Sequence, residues 1–286
     1  MHDQDTILST RFVDTHVHIM ATYGLESVVA AGVGAVRDAG TKNALSLSLV
    51  RRSGQQGVPV ILSAGWAVYK KGGYGSSFGI PLEGRDEFLK EISRLKAAGA
   101  DIIKVIASGM VSLKTPGAIT PGGFDKEELL AFVQAARSEG LEIMAHANGE
   151  QAIIAAAESG VRSIEHGFFM TKKALDTLVR QGTYWTPTIG ALARAADADG
   201  TSDEIKDYIH SLIDSHLAMI QYAHHIGVGL TIGTDCVLPN PRYQEAYETE
   251  LAYFIEAGFT HEEVVKIACD NGATLLAIKS RGSNSK

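Results

Sequence analysis

A chain of 286 residues with 45% hydrophobic and 21% charged side chains can bury a large core, which excludes a disordered or fibrous protein and fits one domain over 1–286. Its 26 basic side chains fall short of its 33 acidic ones, and the formal charge of −7 argues against nucleic acid or any other polyanionic partner. With two cysteines (Cys236 and Cys269), no apolar run near the roughly 20 residues that span a bilayer, and a polar start (MHDQDTILST), the chain is expected to be cytoplasmic, with free thiols and no membrane partner.

Eight short runs rich in Val, Ile and Thr read as strands: RFVDTHVHI (11–19), AVRDAG (35–40), VPVILSAG (58–65), DIIKVIAS (101–108), LEIMAHAN (141–148), SIEHG (163–167), YWTPTIG (184–190) and GLTIGTD (229–235). Several are almost continuously apolar, as parallel strands covered on both faces should be. Between them, 85–99, 124–140, 171–182 and 202–227 carry apolar residues at helical spacing. Glycines at 32, 99, 140, 160, 182 and 227 stand where a left-handed residue would stop each helix before the next strand. Strict strand-then-helix alternation predicts a parallel sheet with right-handed crossovers, closed at this length into a (β/α)8 TIM barrel. An open doubly wound sheet is the alternative, but a glycine-rich dinucleotide fingerprint is missing after the first strand. The longest connections, 66–84 and 109–123, are Gly-, Ser- and Pro-rich and follow strands, which places them at the mouth where substrate loops lie.

The first strand ends in Asp14-Thr15-His16-Val17-His18, and a period of two puts both imidazoles on one side of the strand. Ligand-type residues recur at other strands: Lys104 within the fourth, His146 near the end of the fifth, His166 ending the sixth and Asp235 ending the eighth. In a barrel these positions converge on one mouth, where a metal site needs its ligands. Each has a bland explanation when taken singly: a polar residue at the rim, or a helix cap in the case of Asp235. Lys104 sits among Ile102, Ile103, Val105 and Ile106, where burial would leave a neutral amine able to react with CO2. The resulting carbamate is an anionic oxygen ligand, whereas the alternative is a lysine ion-paired with Asp101 or Glu165. His210, His216, His224 and His225 fall in the long helical segment and His261 opens a helix, so these are expected to be structural or surface residues.

Asp14-Thr15-His16-Val17-His18, Val36-Arg37-Asp38-Ala39-Gly40, Ile103-Lys104-Val105, Ala145-His146-Ala147, Ile164-Glu165-His166-Gly167 and Gly233-Thr234-Asp235 together resemble the amidohydrolase superfamily, across almost the whole chain. The run Ile103 to Gly109 is similar to the carboxylated-lysine strand of the imidazolonepropionase-like and prolidase-like branch. The resemblance implies two divalent ions, with His16, His18 and Asp235 on the more buried one, His146 and His166 on the more exposed one, and carboxylated Lys104 between them. Nitrogen and oxygen ligands of this kind suit zinc, and Mn, Fe and Co also match. It further implies a metal-bridging hydroxide attacking the carbonyl of an amide, with Asp235 taking its proton and passing it to the leaving nitrogen.

Two departures from that branch stand out. Its members carry a β-sandwich built from segments flanking the barrel, which is expected to be absent here and replaced by burial in a homo-oligomer. Gly72-Gly73-Tyr74-Gly75 resembles a Gly-Gly-His-Gly stretch of the prolidase-like members with Tyr74 in place of the histidine, a departure that bears on their peptide specificity. Tyr74, and Arg242 as a carboxylate clamp, are the candidate substrate contacts for a dipeptide, N-acyl amino acid or cyclic amide. The same two-metal chemistry would also serve a lactone or phosphoester, and a non-catalytic metal-binding assembly subunit is the alternative outside catalysis.

Overall fold

In the computed structural model, which describes residues 11–55 and 57–277, the alternation is realised as a (β/α)8 barrel. Its strands are β1 (Phe12–Ile19), β2 (Val33–Asp38), β3 (Val60–Ser63), β4 (Ala67–Lys70), β5 (Gly79–Leu82), β6 (Ile102–Ile106), β7 (Glu142–Ala147), β8 (Ser163–His166), β9 (Tyr184–Thr186) and β10 (Cys236–Leu238). They form two parallel sheets, ordered β10-β1-β2-β3 and β5-β4-β6-β7-β8-β9. Backbone hydrogen bonds bridge both seams. At one, Asp101 N–H donates to Ser63 O at 2.8 Å. At the other, residues 229–235 form the eighth stave: Trp185 N–H donates to Gly229 O (2.9 Å), Thr15 N–H to Ile232 O (2.9 Å) and Asp235 N–H to His16 O (2.8 Å).

Three boundaries differ from expectation. Segment 66–84, expected to be a connection, contains β4 and β5. The chain bends after Ser63, and β4 then takes over the pairing with β6, Ala67 opposite Lys104. The seventh strand stops at Thr186 because Pro187 has no N–H to give and Thr188 turns left-handed (φ 53°) into a helix at Ile189–Ala196. In the eighth, Leu230 makes an isolated bridge to Trp185 and regular pairing with β1 begins at Cys236.

The helices meet the predicted positions: Arg85–Ala98, Lys126–Ser138, Lys172–Gln181 and Asp203–Ile226, the last opened by a Ser202 cap. All six glycines named as stops have positive φ, between 64° and 96°. Along β6 the period of two sorts the core: Ile103 and Val105 join the large cluster under the helices, where Phe88 stacks on Phe132, while Ile102 packs with Ala39, Ala64 and Met144 inside the barrel. Lys104 therefore shares the interior face with Ile102 and Ile106. None of the helices among the described residues is long and apolar enough to cross a membrane.

Candidate metal centre

The barrel brings the strand-borne ligand candidates to one place. His16 and His18 come from β1, Lys104 from the middle of β6, His146 from β7, His166 from the end of β8 and Asp235 from the turn before β10, and all six line one cavity. Ligand atoms of His16, His166 and Asp235 lie within 4.8 Å of one another. Asp235 Oδ1 is 3.2 Å from His18 Nε2 and 3.4 Å from His16 Nε2. The His146 ring meets the His166 ring at 4.6 Å, edge to face. His166 (φ 66°), Thr188 (φ 53°) and Asp235 (φ 52°) are left-handed non-glycine residues, a strained geometry that clusters where function fixes a side chain.

Each imidazole is anchored through one nitrogen, which turns the other toward the centre, where that of His18 meets Asp235. His16 Nδ1 meets Glu165 Oε2 at 2.7 Å, His18 Nδ1 meets Gly40 O at 2.7 Å, and His166 Nδ1 meets Thr188 Oγ1 at 2.7 Å. For His146 it is Nε2, 3.1 Å from Gly109 O, whose carbonyl also accepts Asn148 Nδ2 at 3.2 Å. Fixing one ring nitrogen sets the tautomer and aims the other, as metal-binding histidines require. Behind them runs a buried ionic network: Arg37 Nη2 donates to Glu165 Oε1 at 2.8 Å, Arg37 Nε donates to Thr15 O, and Ser163 Oγ donates to the same Glu165 oxygen. Asp14 accepts Tyr243 Oη at 2.8 Å and Thr234 Oγ1 at 2.7 Å, which ties β1 to the segment carrying Asp235.

The electrostatics suit cation binding. Burial pushes His16 down to about 4 and His146 to about 3, and it takes His166 well below its ordinary value, so these rings are neutral donors at pH 7. Burial alone would raise Asp235, but the charge His16 and His166 gain when protonated at low pH, with a contact to His18, outweighs it and holds Asp235 well below its ordinary value, so the carboxylate is ionised at pH 7. Glu165 is likewise held down to about 2, burial being overcome by Arg37 and His16. Lys104 is lowered to about 8, chiefly by burial. Neither expected ion-pair partner serves it: Asp101 accepts the Ser63 N–H at 2.9 Å, and Glu165 is taken by Arg37 and His16. Lys104 Nζ and His16 Nε2 are buried with no hydrogen-bond partner among the described residues, two of three such side-chain atoms there. An orphaned buried polar group costs about 1–3 kcal/mol, so a centre carrying two of them, the Lys104 amine and the lone pair of His16 Nε2, fits a group that would engage both.

The model of the amidohydrolase family matches residues 7–283. The chain belongs to that family. Among its curated relatives, an ochratoxinase of Aspergillus niger is 26% identical over 241 residues, covering 74% of this chain and 49% of the relative. An uncharacterised protein of Mycobacterium tuberculosis is 24% identical over 217 residues, covering 74% and 57%. The chain thus spans about half the length of these curated relatives. A solved Xaa-Pro dipeptidase with methionine in its active site superposes with a TM-score of 0.78 at 26% identity, over 94% of this chain and 75% of that one. The solved A. niger ochratoxinase superposes at 0.76 and 21% identity, over 94% and 71%.

Of the two candidate substrate contacts, Tyr74 lines the cavity, its ring 5.2 Å from that of His146. Arg242 is exposed at the start of the helix Tyr243–Glu256 and lines a different cleft with Arg194 and Asn240. His216, expected to be structural, is buried behind the centre, its ring 4.7 Å from Phe168. Of the supporting residues, Glu165 was read from the sequence as an alternative ion-pair partner of Lys104, which it is not, and Arg37, Asn148 and Thr188 received no role. The readable signal was a charge inside a doubly covered strand, as in Val36-Arg37-Asp38 and Ile164-Glu165, since such a group persists only when paired.

Proposed function

We propose that this chain is a metal-dependent amidohydrolase that cleaves an amide C–N bond of a small substrate. His16, His18 and Asp235 would hold one divalent ion, His146 and His166 a second, and carboxylated Lys104 would lie between them, with zinc favoured by ligand type. The observation that carries this reading is the pair of orphaned buried atoms, Lys104 Nζ and His16 Nε2, beside an ionised Asp235 and neutral histidines whose far nitrogens are anchored.

Bound divalent ions would supply an acidified water and a Lewis acid for the carbonyl oxygen. The chain's own residues prepare the rest. With its pKa lowered to about 8, Lys104 presents a share of neutral amine at pH 7. Its lone pair adds to the carbon of CO2, one C=O bond opens to an oxyanion, and the nitrogen releases a proton to solvent, leaving a carbamate. Asp235 is the most accessible of the carboxylates at the centre (side chain 23% exposed) and is ionised, so Oδ1 or Oδ2 can take a proton from the attacking water and deliver it to the leaving nitrogen. Glu165, Gly40, Thr188 and Gly109 hold the imidazoles in place throughout.

The test is turnover of a panel of dipeptides, N-acyl amino acids and cyclic amides by protein loaded with zinc or manganese, with Asp235→Asn as control. Activity should vanish on chelation, return with metal, and fall by about 10²–10⁴-fold in the variant. Turnover that is indifferent to chelator and to Asp235→Asn would overturn the reading.

A further inference from the structure

The cavity that the six candidate ligands help to line measures about 200 Å³, somewhat more than the about 150 Å³ that encloses a benzene molecule. Beside the scissile amide it therefore admits one ring or one branched alkyl group. Apart from the six candidate ligands its wall is apolar, built largely from Phe78, Ile106, Val111, Leu113, Phe168 and Leu192. Among the described residues only two further polar side chains line it, Asn148 and Tyr74. Asn148 is already committed: Nδ2 donates to Gly109 O at 3.2 Å, and Oδ1 accepts the Phe168 N–H at 2.9 Å. Tyr74 is a phenol, neutral at pH 7 by its ordinary pKa of about 10. Among the described residues no Arg lines this cavity, and Lys104 is its only Lys. The guanidinium groups of Arg194 and Arg242 border the neighbouring cleft instead.

With Lys104 and the histidines engaged at the centre, a carboxylate pressed against the rest of this wall would lose its hydration and meet no side-chain cation, whereas an uncharged group would lose little and bury apolar surface. We propose that the cavity selects amides that are uncharged around the scissile bond and carry an aromatic or branched aliphatic group, in preference to substrates with a carboxylate on the carbon next to the scissile nitrogen, as every dipeptide has. This rests on the hydrolase reading above and narrows its substrate class. The structure offers such a substrate one neutral donor, the Tyr74 hydroxyl.

A matched pair isolates the charge: N-acetylphenethylamine and N-acetyl-L-phenylalanine differ only by the carboxylate on the carbon bearing the amide nitrogen. Affinity of both for the full chain loaded with zinc, measured by calorimetry, gives a readout independent of turnover, and kcat/KM for deacetylation gives the second. The neutral member should bind at least 10-fold more tightly and, where turnover occurs, react with at least 10-fold higher kcat/KM. Equal or tighter binding of the carboxylate, or no binding of the neutral member, would overturn the proposal. Preferential binding of the neutral member without cleavage of either would uphold the cavity's selectivity and count against the hydrolase reading alone.

Discussion

Replacing Glu165 with Gln removes one negative charge and one acceptor oxygen from the best-shielded ionic network in the barrel, with little change of shape. The side chains of Glu165, Arg37 and His16 are all fully buried, with contacts of 2.8 Å to Arg37 and 2.7 Å to His16. At 2.8 Å the Arg37–Glu165 attraction is about 6 kcal/mol for an effective dielectric near 20. Most of it offsets the loss of hydration, so what the variant exposes is an uncompensated buried guanidinium, at a cost of about 3–5 kcal/mol. The Gln amide also turns an N–H toward either Arg37 or the His16 ring nitrogen, both of which are donors there, and a freed His16 should lower metal affinity by about 10–100-fold. Urea unfolding in the presence of chelator, followed by tryptophan fluorescence, isolates the stability term, and competition with a chromophoric chelator gives the affinity. Replacing the pair together, as Arg37→Met with Glu165→Leu, should cost less than the two single changes summed. Destabilisation below about 1 kcal/mol, with metal affinity unchanged, would refute the reasoning, since such a value is typical of an exposed pair.

Two further expectations concern the shell around the centre. Glu250 is buried and accepts the backbone N–H groups of Ile189 (3.0 Å) and Gly190 (2.7 Å), at the start of the helix whose Leu192 lines the cavity, and burial raises its pKa from 4.5 to about 7. The folded state thus holds this proton more tightly than the unfolded state, so the contribution of Glu250 is greatest below about pH 4.5 and falls by about 3 kcal/mol as the pH rises to 7; Glu250→Gln should gain that much relative to wild type over this interval, and a pH-independent difference between the two would contradict it. Phe132 is buried, stacked on Phe88 and edge-on to Phe124 at 4.9 Å, so Phe132→Ala should cost about 3–5 kcal/mol in urea unfolding and leave metal binding intact. A cost below about 1 kcal/mol would show that this cluster repacks freely.

The barrel was legible because its signals are local. Helix-stopping glycines at 99, 140, 160, 182 and 227 need only a positive φ, and the near-continuous apolar runs of β2 and β6 need only cover on both faces. The ligand candidates were legible for a related reason, since a position at a strand end already implies the mouth. What stayed hidden depends on partners far apart in sequence. Glu165 meets His16 across 149 positions and Arg37 across 128, and a strand pattern does not record such pairings. The two strands inside 66–84 escaped because Gly72, Gly73 and Gly75 read as loop, while the four-residue runs beside them are too short to show a period. Arg242 lies on the far side of the helix that walls the cavity, a placement that depends on where that helix packs rather than on the residue's position after strand eight.

The central claim is that Lys104, orphaned inside the barrel, becomes an anionic ligand between two metal ions. The most direct measurement is metal per chain by elemental analysis, after purification with zinc and bicarbonate, for wild type and Lys104→Ala alongside an unfolding check. The account predicts about two ions in the wild type and one or none in a folded variant, with binding in the wild type weakened when CO2 is excluded. Equal occupancy in wild type and variant, indifferent to bicarbonate, would contradict it.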